Sequence, residues 1–214
     1  MNKANIELFF STLAQANPSP QTELVYTSVF ELLTAVLLSA QATDVGVNKA
    51  TAKLFPRANT PQAIVDMGLP ALEDAVKTIG LYKSKARHLM QACELLLRDH
   101  NSVVPNNREA LEALPGVGRK TANVVLNSAF GQPTMAVDTH IFRLGNRTGL
   151  APGKNVVQVE QGLLKRIPAH YMVDAHHWLI LHGRYVCQAR TPKCWECAVS
   201  RTCDYKPKTV AVNN

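Results

Sequence analysis

Aromatic residues are scarce in this chain, at 6% of 214 residues. A core, if one forms, must therefore be built from Leu, Val, Ile and Ala, and the 46% apolar content is enough for one. No stretch reaches the roughly 18 apolar residues that a membrane span needs. The longest, Phe30 to Ala42, is broken by Glu31, Thr34, Ser39 and Gln41 and reads as a buried helix. The opening MNKANIELFFSTLAQ has no long apolar segment and no small-residue cleavage site, with Asn2, Lys3 and Glu7 interrupting it. No signal peptide is expected, so the cytoplasm is the expected location. Alternation of period two persists nowhere, which excludes a sheet protein. Internal repeats and low-complexity segments are also missing. Cysteine is nearly absent before the last thirty residues, where four of the five lie.

What is present points to helices. Ile6 to Ala16 is a first amphipathic segment, closed by Asn17-Pro18-Ser19-Pro20, where the prolines cannot continue a helix. Ser28 is a candidate N-cap for a helix running to about Ala40. Asp44 to Leu54 follows, and Thr60-Pro61 reads as a cap with proline at the first helical position. Pro70 opens a short helix ending before Gly80. Lys83 to His100 places Ala86, Leu89, Met90, Cys93, Leu96 and Leu97 at helical spacing. Asn107 to Leu114, Arg119 to Phe130, Thr139 to Gly149, Val156 to Ile167 and Val173 to Val186 complete an all-α set of about ten helices. The residues from Pro207 read as a tail. The length suits one domain or two small ones sharing an interface.

Net charge is +7 and the pI about 9.3, so an anionic partner is expected, nucleic acid first. The segment LPGVGRKTA, Leu114 to Ala122, narrows this. Gly116 and Gly118 sit between two helices, where a missing Cβ permits unusual backbone angles and close approach. The free N–H groups at the start of the next helix form an anion site that suits a DNA phosphate. Arg119 and Lys120 stand beside it. Lys120 reads as a phosphate contact or as an amine nucleophile. Partial burial and the neighbouring Arg119 would favour the neutral, nucleophilic amine.

Asp138 lies eighteen residues further on, in TMAVDTHIFR. An Asp in that place reads first as a helix N-cap. Paired with a nucleophile, it reads equally as a carboxylate that supports charge at a sugar carbon. Arg143 and Arg147, four apart on one helix face, are phosphate contacts or solvated cations. His140 orders the aspartate or the DNA backbone, or caps a helix.

Cys187, Cys194, Cys197 and Cys203 are spaced C-x6-C-x2-C-x5-C. A reducing compartment disfavours disulfides and points to metal. Four thiolates suit structural zinc or an iron–sulfur cluster. Only one short C-x2-C pair occurs, whereas zinc sites commonly use two. Cys93, within an apolar helix face, reads as a buried core thiol.

Taken together, LPGVGRKTANVVLNSAF and AVDTHIFRLGNRTG resemble the endonuclease III branch of the helix-hairpin-helix DNA glycosylases, and the cysteine spacing is similar to that family's 4Fe-4S loop. The resemblance spans about residues 2 to 207. It implies two helical domains flanking a DNA-binding cleft. One is a six-helix barrel over 22–132 containing the helix-hairpin-helix at about 108–127. The other joins 1–21 to 133–214 and carries a 4Fe-4S cluster on the loop 187–203. It implies Lys120 as the attacking amine and Asp138 as its assistant, and Cys187, Cys194, Cys197 and Cys203 as cluster ligands. An enzyme acting on a stacked base must flip it out. In the family the LLSAQATD segment and the residue after IG enter the duplex, which implies Gln41 and Leu81 here, with Lys83 and Lys85 beside them. Gly116, Gly118, Arg119, His140, Arg143, Arg184, Arg190 and Lys193 are further candidate DNA contacts, with Arg201 near the cluster loop.

The activity implied is release of oxidised or damaged pyrimidines from duplex DNA, followed by abasic-site lyase cleavage 3′ to the site, by β-elimination through a lysine Schiff base. A monomer is expected. The nearest alternative is the sister adenine-mispair glycosylase. It has Ser in place of the lysine, a different tetrapeptide at VDTH and an extra C-terminal domain. Two others are a non-catalytic iron–sulfur DNA-binding module and an electron carrier.

Overall fold

Side-chain caps start most of the helices, and they fix where each one begins. The computed structural model describes residues 1–211. Among these are eleven α-helices, two 3-10 turns and no strand. Contacts divide the chain into two units, Thr22–Gly131 and Met1–Gln21 with Gln132–Asn214.

The first unit holds α2 (Val29–Leu38), α3 (Asp44–Leu54), α4 (Pro61–Met67), α5 (Leu69–Val76), α6 (Tyr82–Asp99), α7 (Arg108–Glu112) and α8 (Arg119–Phe130). Ser28 caps α2 by accepting from the Glu31 N–H, Thr43 caps α3 through Gly46, and Thr60 caps α4 with Pro61 behind it. Helix α2 is buried along its whole length from Phe30 to Leu38 and packs on α3, α6 and α8. Its two polar residues are buried too. Glu31 is 3% exposed, and its carboxylate accepts from the Thr27 N–H and hydroxyl and from Asn59. That network satisfies an acid which would otherwise be costly to bury. The helix stops at Leu38, two residues short of the expected Ala40. The Ser39 N–H closes onto Ala35 and Val36, and Gln41 turns left-handed at φ 55°.

The second unit contains α1 (Lys3–Ala16), α9 (Thr139–Thr148), α10 (Val156–Arg166) and α11 (Met172–Tyr185). Its core joins Ile6, Phe9, Phe10 and Leu13 of α1 to Ile141 and Leu144 of α9, Leu163 of α10 and Trp178 and Leu179 of α11. Few aromatics serve it, but they cluster: Phe10 stacks on Tyr171 at 5.9 Å and meets Phe9 edge-on at 5.4 Å. The Trp178 indole N–H donates to the Asn17 carbonyl, which anchors the end of α1. Helices α9 and α11 approach closely at Gly183. A Cβ there would lie 3.1 Å from both Cβ and O of His140, so a side chain would push the helices apart.

The end of the chain is more tightly held than its composition suggests. Lys208 donates to the Cys203 carbonyl, the Thr209 hydroxyl donates to the Pro192 carbonyl, and the Cys194 N–H donates to Thr209. The segment expected to be a tail therefore packs back on the cysteine loop as far as Thr209. Its last residues, 212–214, lie outside the described residues.

Candidate active site

Two short helices make the hairpin. Helix α7 ends in a turn in which Leu114 donates to Leu111 and Val117 to Leu114, and Val117 is buried at 5% exposure. Gly116 adopts φ +78°, a left-handed conformation that favours glycine. A Cβ on it would also lie 2.8 Å from the Cβ of His88, an atom fixed to the backbone of α6. Gly118 differs. Its φ of −96° suits any residue, and a Cβ there would meet nothing within 4 Å. No contact within the protein accounts for glycine at this position. As the residue preceding α8 it provides no side-chain cap.

Arg119 and Lys120 open α8 and both are exposed. The partial burial expected for Lys120 is not found. The position lies in the first turn of a helix that starts at the surface, so its amine is open to solvent and to anything docking there. The buried lysine is Lys85, on α6, at 6% exposure. Its ammonium donates to the Leu38 carbonyl at 2.9 Å instead of facing outward beside Lys83, which is exposed. Burial holds the Lys85 amine below the ordinary lysine range.

Asp138 is an N-cap. Its Oδ1 accepts from the N–H groups of His140 and Ile141, each at 2.9 Å, and so fixes the start of α9 and the side chain's own rotamer. Both bonds fall on one oxygen. The cap reading is therefore correct as far as it goes, and it also holds the carboxylate in a defined orientation. His140 lies one turn from Arg143, with its Nδ1 3.4 Å from the guanidinium.

Arg143 and Arg147 take partners that sequence reading did not supply. Arg143 donates to the carbonyls of Cys187 at 3.1 Å and Gly183 at 2.5 Å. Arg147 donates to the carbonyls of Gln188 at 2.6 Å and Ala189 at 2.9 Å, and its guanidinium lies over the Tyr205 ring. The pair thus clamps the beginning of the cysteine loop, while both side chains stay partly exposed. Their i,i+4 spacing was visible in the sequence, but their acceptors lie about forty residues away.

The four clustered cysteines line one pocket, partly open to solvent, with His182, Val186 and Val199 among its walls. Short backbone bonds shape the loop around it: Cys187 to His182, Lys193 to Val186 and Ser200 to Cys197. Burial raises the thiols of Cys187 and Cys197, the latter to about 11, while Arg147 beside Cys187 opposes the rise there. Among the described residues, no three His, Cys, Asp or Glu side chains are grouped closely enough to hold one metal ion. Four thiols spread around one apolar pocket fit a group with several metal corners, each taking one thiolate. On the outside of the loop Arg190 and Arg201 are exposed, and Arg184 is half-buried on α11. Lys193 forms a 3.0 Å ion pair with Glu196. Cys93 is fully buried in α6, and burial pushes its thiol up to about 12, which makes it an inert core residue.

Gln41 and Leu81 share a backbone state. Both are exposed and both have positive φ, at 55° and 60°. Leu81 is 64% exposed and immediately precedes α6. A non-glycine residue held left-handed is costly and persists only where its surroundings enforce it.

Residues 34–169, well over half of the chain, match the HhH-GPD superfamily of base excision DNA repair proteins. Endonuclease III of Escherichia coli (strain K12) is 62% identical over 208 residues, covering 97% of this chain and 99% of that protein. The Haemophilus influenzae endonuclease III shows the same identity and coverage. A solved structure of a trapped endonuclease III–DNA covalent intermediate, an estranged-adenine complex, superposes with a TM-score of 0.89. It is 42% identical, over 95% of this chain and 96% of that one. The chain belongs to the endonuclease III family, the DNA glycosylase and abasic-site lyase branch of base-excision repair.

Proposed function

We propose that this protein releases oxidised or ring-damaged pyrimidines from duplex DNA and then cleaves the strand 3′ to the abasic site, with Lys120 as nucleophile and Asp138 as its partner. The observation that carries the assignment is the exposed Lys120 amine, in the first turn of the uncapped α8 and directly behind the left-handed Gly116 turn. A phosphate at the N–H groups of α8 would set the strand in register beside the amine. The open space at Gly118 suits that close approach. The relative trapped as a covalent DNA intermediate supports covalent chemistry in the family.

In this reading the Lys120 amine attacks the sugar C1′ and the damaged base departs. The Asp138 carboxylate supports the positive charge that develops at that carbon. Opening of the sugar gives the Schiff base between C1′ and the lysine. Loss of a C2′ proton then expels the 3′ phosphate, and hydrolysis frees the lysine. Gln41 and Leu81 occupy the space left by the flipped nucleotide. Exposed Arg119, Arg190 and Arg201 approach the backbone of duplex DNA, with Arg184 beside them. His140 and Arg143 serve this surface by fixing Asp138 and the cysteine loop. No helix of the described residues is long and apolar enough to cross a membrane, and a cytoplasmic enzyme acting on the chromosome fits the reading.

Cys187, Cys194, Cys197 and Cys203 would hold a 4Fe-4S cluster. When bound, it supplies four iron–thiolate bonds that tie residues 187–203 into one loop. The purified protein is expected to be coloured and to carry about four irons per chain. Cys197→Ser should lose the colour and the iron and lower the melting temperature, by roughly 2–4 °C for each kcal/mol of loop stability lost. A colourless protein with one zinc per chain contradicts the cluster.

The reading as a whole is tested on a panel of duplexes carrying an oxidised pyrimidine, an abasic site or a mispaired adenine. Release of the pyrimidine with a strand break 3′ to the site is expected. Adenine release alone, without strand cleavage, would favour the sister glycosylase. Binding with no product from any duplex would favour a non-catalytic module.

A further inference from the structure

We infer that Lys85 is a positioning residue that joins the loops carrying Gln41 and Leu81, so that the two side chains reach the duplex in fixed register. This rests on the reading above that those side chains enter the duplex.

Three observations converge on Lys85. Its ammonium donates to the Leu38 carbonyl, at the C-terminal end of α2 and three residues before Gln41. Its own N–H donates to the Leu81 carbonyl at 3.1 Å, the bond that closes the first turn of α6. It is also buried, in a region where α2 and α6 pack together. The backbone bond is available to any residue at this position, but the ammonium bond is not. The last carbonyls of a helix lack intrahelical donors and carry the negative end of its dipole, so a cation there is favourable.

A buried ammonium is nonetheless expensive where an apolar side chain of equal length would pack as well. Lys85 stands where its charge connects the end of α2 to the start of α6. Gln41 lies three residues after the first point and Leu81 immediately before the second, and both are exposed and left-handed. Neither can hold its conformation by intrinsic preference, because both carry a Cβ. Leu81 has no side-chain cap to assist it. Lys85 therefore makes one rigid element of two strained turns that are forty residues apart in sequence.

The test is Lys85→Met, which keeps length and burial and removes the donor. Base release from a damaged duplex should fall roughly 10- to 100-fold in kcat/KM, the scale on which a misplacement of about 1 Å acts. Cleavage of a single-stranded abasic oligonucleotide has no opposing base to displace and should be unchanged. A 2-aminopurine placed opposite an abasic analogue should lose the fluorescence change that the unmodified protein produces. Lys85→Arg, which retains a cationic donor, should recover part of the duplex activity. Should Lys85→Met fail to fold, Lys85→Leu, which also lacks a donor, gives the same comparison. Unchanged duplex activity, or an equal loss on duplex and single strand, overturns the role of Lys85. Gln41→Ala and Leu81→Ala serve as controls. If both act normally on duplex DNA, the reading of those side chains fails first; if they lose activity while Lys85→Met does not, only the positioning role fails.

Discussion

Lys120→Gln should bind abasic duplex nearly as well as the unmodified protein and cleave it on the order of 10³-fold more slowly or worse. The substitution leaves the fold around it in place. Lys120 is exposed in the first turn of α8 and contributes nothing to the core. Gln is a comparable helix former, so stability should change by no more than about 0.5 kcal/mol. The Gly116 turn and the N–H groups of α8 remain, and with them the proposed phosphate contact. What is lost is the amine, for which an amide has no nucleophilic substitute. A variant that still cleaves at the original rate would remove Lys120 from the mechanism and leave it as a phosphate contact.

Asp138 allows a cleaner separation, because its structural and chemical roles depend on different properties. The cap needs a side-chain oxygen, whereas the chemistry needs a negative charge. Asn and Asp are equivalent N-caps, so Asp138→Asn should preserve the two 2.9 Å bonds to His140 and Ile141 and melt like the unmodified protein. Its base-release rate should nevertheless fall by roughly 10²- to 10⁴-fold. Asp138→Ala removes both properties, and should add a stability loss of about 0.5–2 kcal/mol to the same defect in rate. Calorimetry beside single-turnover base release reads the two effects independently. If Asp138→Asn releases bases at full rate, the aspartate is a cap and nothing more.

What could be read from the chain beforehand was local. Ser28, Thr60 with Pro61, and the helical spacing in α6 depend on neighbours within one or two turns, and they mark helix starts and buried faces correctly. The Gly116 turn was visible for the same reason, although its conflict with His88 was not. What escaped depends on where distant segments meet. Lys83 and Lys85 look alike in sequence, yet one is exposed and the other is buried against the end of α2, forty-seven residues away. Arg143 and Arg147 had a recognisable spacing, but nothing nearby reveals that they clamp the carbonyls of 187–189. Partial burial of Lys120 would have favoured a neutral amine, whereas a first-turn position at a surface helix start leaves the residue exposed. The residues after Pro207 lack helical periodicity and so resembled a tail. Side-chain bonds through Lys208 and Thr209, which have no periodic signature, hold them to the cysteine loop.

The proposed reaction requires a bond between the Lys120 amine and a deoxyribose carbon. Incubating the protein with duplex DNA containing an abasic site, reducing with borohydride, and mapping the protein–DNA adduct by proteolysis and mass spectrometry tests that bond directly. The expected result is a single modified site at Lys120, absent from Lys120→Gln. An adduct carried wholly by another lysine, or strand cleavage with no trappable adduct, would contradict it.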